Sequence, residues 1–176
     1  MMTRKRSTMS NLVLSAFVVP SVVHVQCYGS YAKVGMPEAT SMHPLKIVGD
    51  VLVGWINGLS RGERRNFAVL RVEPDMSVGY YSVVAEKMFV EYSQLAIISL
   101  ETIFALMAQQ EPGKPGALAV ERPNYKPQWN VFRTQIGSEV CGLWVWLGNH
   151  GWAVCLDFRN QGKNFLLGDR IFGVTM

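Results

Sequence analysis

Residues 59–67 read LSRGERRNF, and Gly62, Glu63, Arg64 and Arg65 at their centre set one carboxylate and two guanidinium groups beside a glycine. An arginine fork donates bidentate hydrogen bonds to phosphate oxygens. Free backbone N–H groups at the start of a helical turn attract the same anion. With Arg61 next to it, the stretch has the chemistry of a phosphate site. The same letters also carry a structural reading. Ser60 stands three residues before Glu63, the spacing of a capping box, in which the serine oxygen accepts from the backbone N–H of residue 63 and the glutamate reaches back to the N–H of Ser60. In that reading the arginines are solvated. Spacing alone leaves both readings open.

A second basic feature lies downstream, where Lys114, Arg122, Lys126 and Arg133 are interleaved with Tyr125 and Trp129. Aromatic and cationic side chains together stack on bases and neutralise backbone phosphates, which makes Arg61, Lys114, Arg122 and Lys126 candidate DNA contacts. Carboxylates suited to a catalytic magnesium stand at Glu63, Asp75, Glu86 and Glu91, a role that needs two or more of them to converge. Common nucleotide-binding and hydrolase signatures are absent from the sequence. Cys27, Cys141 and Cys155 are odd in number and far apart, as are His24, His43 and His150. They predict buried free thiols in a reducing compartment, not a disulfide framework or a structural metal centre.

The elements that must hold these groups are bounded by composition. A chain of 176 residues suffices for one domain with a real core. At 49% hydrophobic and 17% charged residues it is no disordered tail. A net charge of +4 favours an anionic partner weakly, because Arg4, Lys5 and Arg6 sit in a basic tail over residues 1–10. The apolar stretch after that tail has the outline of a secretory signal, ending in small residues at Ser30 and Ala32. Pro20, His24 and the alternation from Val23 to Tyr31 read instead as a half-buried strand, retained in a cytoplasmic protein. No run of about 18 uninterrupted apolar residues offers a membrane span.

Further on, Pro44 opens a predicted amphipathic helix over 44–59, with Leu45, Val48, Leu52, Trp55, Ile56 and Leu59 on one face. FAVLRVE and SVGYYSVVAE around EPDM predict a hairpin over 66–84, and SQLAIISLETIFALMAQQ a buried helix. Residues 111–128 hold four prolines and two glycines and read as a connector. CGLWVWL and WAVCLDF around GNHG predict a C-terminal β-hairpin, with Trp144 and Trp146 on one face and Leu143, Val145 and Leu147 on the other. FLLGDRIFGV reads as a short last strand or edge. The sum is a single α+β domain with a mixed sheet, two main helices and that hairpin.

GERR at 62–65 is similar to the signature box of the ParB/sulfiredoxin superfamily, and the predicted order helix, hairpin, helix over 44–110 resembles that fold. The strings YGSYAKVGMPEATSMHPLKIVGD and YYSVVAEKMFVEY resemble the fertility-inhibition proteins of conjugative plasmids within it. The resemblance implies nucleotide-regulated DNA binding or cleavage that blocks transfer of a rival plasmid's DNA through a type IV secretion system. ATP and Mg2+ would be the cofactors, and DNA, nucleotide and a secretion component the partners. Carried onto this chain, it gives phosphate contacts to Gly62, Arg64 and Arg65 and a catalytic role to Glu63. The family's box follows a strand and opens a helix, which is where this chain has VVAEKMF. Glu86 and Lys87 are therefore the alternative catalytic and phosphate-binding pair. A different class of function stays open beside it: a non-enzymatic inhibitor that docks on a partner through an aromatic patch of Trp144, Trp146 and Trp152.

Overall fold

A computed structural model of the chain describes residues 15–28, 31–36, 42–59, 68–73, 76–82, 95–111, 114, 116–118, 129–148, 151–157 and 169–174. Alternation of buried and outward residues governs most of them. Val23 and Val25, Ala32 and Val34, Leu45 and Ile47, Leu143 and Val145, and Trp152 and Val154 all point inward, at most 2% exposed. Period two places such residues on one face of a pleated strand. The strands are β1 (Ser15–Val18), β2 (Val22–Tyr28), β3 (Tyr31–Gly35), β4 (His43–Val48), β5 (Ala68–Arg71), β6 (Ser77–Ser82), β7 (Asn130–Ile136), β8 (Glu139–Gly148), β9 (Gly151–Asp157) and β10 (Arg170–Val174). They form one curled sheet in the order β1-β6-β10-β7-β8-β9-β4-β3-β2-β5. Pairing is antiparallel except between β10 and β7 and between β4 and β9.

Two helices accompany the sheet, α1 (Asp50–Leu59) and α2 (Leu100–Gln109). Eight of the ten residues of α2 are buried, so the sheet must wrap it rather than support one face. The helix touches β2 and β3 on one side and β7 on the other, strands far apart in the sheet order. Ile103, Phe104, Leu106 and Met107 fill the concavity against Val25, Val34, Phe132 and Leu143. The Ser99 hydroxyl caps the helix, accepting from the backbone N–H of Thr102 at 3.2 Å, and the Thr102 hydroxyl donates to the Met76 sulfur at 3.3 Å.

The α+β expectation is overturned. Strands hold 58% of the described residues, and the two helices are short. Residues 44–48, expected at the start of a helix, lie in β4. Leu45, Val48 and Leu52 fit helical spacing, but Leu45 and Ile47 are buried while Pro44, Lys46 and Val48 face outward, and this alternation prevails. Gly49, at φ +108°, takes a left-handed conformation costly for other residues, and α1 begins only after it. The helix expected around 93–110 is also shorter, starting at Leu100.

The hairpin expected over 66–84 does not form either. β5 and β6 pair with β2 and β1, not with each other. Residues 15–28 run antiparallel to 68–73 and to 76–82, and between the strand pairs Val19 N–H donates to Met76 O and Val72 N–H to Ser21 O. Because β1 and β5 are the two ends of the sheet order, these segments tie one end to the other. The strand expected from Val22 is present as β2, and the C-terminal hairpin as β8 and β9. The last strand, β10, is not an edge but lies between β6 and β7.

Candidate functional site

The outward face of β3, β4, β9 and β8 collects side chains from three separate stretches of sequence. Tyr31 and Lys33 on β3 are exposed, between the buried Ala32 and the buried Val34. Lys46 on β4 is exposed between Leu45 and Ile47. Register sets Tyr31 opposite Lys46, Lys46 opposite Ala153, and Ala153 opposite Trp146. Tyr31, Lys46, Ala153 and Trp146 therefore form one row across four strands, about 14 Å long at ~4.8 Å per strand. The neighbouring positions are small or rigid: Lys33 is opposite Pro44, and Gly148 opposite Gly151. A Cβ on Gly151 would stand 2.6 Å from the Pro44 carbonyl oxygen, and its φ of +113° also requires glycine.

Trp146 is half-buried because Trp129 packs against it, ring centroids 4.4 Å apart at 61°. Trp129 also meets Trp144 edge-on at 5.4 Å. The half-buried cluster stands at one end of the row, two strands from Lys46. Below it, Cys155 is opposite Trp144. Burial raises the Cys155 thiol above its ordinary pKa, and the carboxylate of Asp157, two residues along the same strand, adds to the rise. Exposed Tyr31, at 58%, is the least covered aromatic of the row.

The expected docking trio is divided by the pleat. Trp152 points inward and is 1% exposed, its indole N–H without a partner among the described residues. Trp144 and Trp146 share the outward face as expected. Trp152 is thus a core residue, since a strand sends residues 152 and 153 to opposite faces.

Of the candidate phosphate and DNA residues, Lys114 alone lies among the described ones. It forms an ion pair with Glu111 on the surface, and its ammonium holds the Glu111 carboxyl below the usual carboxylate range. Both line a recess of about 250 Å³ with Phe17, Gln109, Gln110, Gly116 and Ala117. The recess lies at the C-terminal end of α2, where the helix dipole is negative and disfavours phosphate. Nearby, Arg170 stacks over Tyr80 at 4.4 Å and donates to the Ala117 carbonyl at 3.2 Å, which makes it a structural cation. Arg133 donates to the Leu95 carbonyl in the same way. Part of the expected connector is anchored here too, with Leu118 1% exposed in the core.

Gly62, Glu63, Arg64, Arg65, Arg61, Glu86, Lys87, Arg122 and Lys126 fall outside the described residues. So do Ser60 and the proposed capping box. Among the described residues no group of three or more His, Cys, Asp or Glu side chains could hold a metal ion. No described helix is long and apolar enough to cross a membrane. The sequence reading missed Tyr31, Lys33 and Lys46. The alternation in YAKV and PLKIV carries the signal, but reading 44–59 as one helix placed Lys46 on the wrong kind of face. Comparison of the chain with family models, curated proteins and solved structures gives no match.

Proposed function

We propose that the protein is a DNA-binding inhibitor of plasmid conjugation that engages DNA with the outward face of β3, β4, β9 and β8. The observation that carries the reading is the row Tyr31–Lys46–Ala153–Trp146 with Lys33 beside it. Exposed lysines attract phosphate by releasing counterions, and exposed aromatic rings offer surface to bases. The setting, interference with transfer through a type IV secretion system, rests on the family resemblance. So do ATP and Mg2+ as cofactors, with Gly62, Arg64, Arg65 or Lys87 at phosphate and Glu63 or Glu86 in catalysis.

The test is fluorescence anisotropy of a labelled oligonucleotide across a salt series, using wild type and the Lys33→Ala/Lys46→Ala protein. Both lysines are exposed, so folding is retained. Each phosphate contact removed lowers the log–log salt slope by roughly 0.7–0.9. An unchanged slope and affinity would exclude this face. Transfer frequency from donor cells carrying each version gives the biological arm.

One observation favours a second reading. Trp129, Trp144 and Trp146 form a half-buried aromatic cluster at the C-terminal hairpin, the kind of surface that anchors protein interfaces. In that reading the protein docks on a secretion component without enzymatic action. A lysine double variant that loses DNA binding yet still blocks transfer supports it.

A further inference from the structure

We infer that the DNA taken by the β3–β4–β9–β8 face is single-stranded, and that it is held by base stacking rather than by reading base edges. The inference rests on the DNA-binding reading above and adds the form of the ligand. Its basis is a comparison of widths. The row from Tyr31 to Trp146 crosses four strands and spans about 14 Å, against a major groove of about 12 Å that admits one helix or a two-stranded ribbon. The ribbon of β8 and β9 cannot enter alone, because β4 is hydrogen-bonded along β9 from Leu45 to Val48 and β7 along β8 from Asn130 to Ile136. A duplex laid on this face touches it only with its phosphate ridges, and its bases stay stacked inside, out of reach of the rings.

A single strand has no such restriction. Its bases splay outward, and each has a π-face that an aromatic side chain accepts without regard to sequence. Tyr31 is 58% exposed and next to the exposed Lys33 and Lys46, so a base on the phenol ring brings its phosphates within reach of both ammonium groups. Between Lys46 and Trp146 the only intervening residue in the row is Ala153, and beyond it the hairpin end carries Gly148 and Gly151. Ala153 is itself only 6% exposed and Trp146 is half-buried, so stacking rests on the Tyr31 ring. Charge agrees with the assignment: among the described residues of β3, β4, β8 and β9 the outward positions at this end hold two lysines, while Asp157 and Glu139 lie at the opposite end of the hairpin.

The experiment compares full-length protein binding to oligothymidine with binding to a mixed-sequence duplex of equal length at one salt concentration. The expected result is tighter binding of the single strand, by roughly tenfold or more. Tyr31→Leu should weaken it by about 5- to 160-fold, the range for losing one base–aromatic stack, while Tyr31→Phe keeps wild-type affinity. Duplex binding should be the same in all three proteins. Equal affinity for both DNA forms with no effect of Tyr31→Leu overturns the inference and leaves the DNA-binding reading in place. Failure of wild type to bind either form at low salt overturns both.

Discussion

Gly116 faces the side chain of Gln110 so closely that the two positions should behave as one unit under mutation. A Cβ added at Gly116 would stand 2.1 Å from Oε1, 2.8 Å from Cδ and 2.9 Å from Nε2 of Gln110. The amide has nowhere to go. It is 3% exposed, its Nε2 donates to the carbonyls of Glu111 at 2.9 Å and Lys114 at 2.7 Å, and its Oε1 accepts from the buried N–H of Leu118 at 3.2 Å. Gly116→Ala expels the amide and leaves the Leu118 N–H buried without a partner, a loss of ~1–3 kcal/mol, while the two carbonyls are only part-buried and regain water. A total of about 2–3 kcal/mol corresponds to a shift of roughly 1 M in the urea midpoint for a protein of this size. Gln110→Ala should cost a similar amount through the same three groups. The decisive measurement is the double variant. With the amide gone, the new methyl at residue 116 enters vacated space, so the second change adds less than ~0.5 kcal/mol and the cycle shows coupling of about 2 kcal/mol. Additive costs would refute the steric argument, and with it the claim that Gln110 organises the loop bearing Lys114 and Ala117.

Two further predictions address α2 and the core. Ser99→Ala removes the acceptor for the Thr102 N–H and should cost about 1 kcal/mol in denaturant titration, the usual value for an N-cap; a neutral result would mean the hydroxyl is dispensable. Burial, with help from the Glu139 carboxylate, pushes the Cys141 thiol up to about 11 from 9.0. The unfolded thiol ionises first, so this contribution to stability is complete below pH 9 and is lost as pH rises from 9 to 11. The fall in urea midpoint over that window should be shallower in Cys141→Ala, and an identical fall would contradict the assignment.

Local patterning determined a good part of this protein. Leu143, Val145 and Leu147 alternate with Trp144 and Trp146, which fixed β8 and the sidedness of its tryptophans, and the valines from Val23 fixed β2. The apolar density of 100–109 marked a buried helix, although not its length. Other choices were beyond local reach. Leu45, Val48 and Leu52 satisfy a helical period while Leu45 and Ile47 satisfy a strand period, and the decision fell to pairing with β3 and β9, each remote or separated by a loop. EPDM between two β-rich stretches has the letters of a hairpin turn. Residues 15–28 supply the hydrogen-bond partner for both flanking strands, so these do not pair with each other. Trp152 and Trp146 look alike in the sequence, and the pleat sends one into the core and the other outward. The candidate site follows the same logic. Tyr31, Lys46 and Trp146 acquire a common chemistry only through the register of four strands, because hydrogen bonding between distant segments, and no property of any one segment, sets which side chains stand in one row.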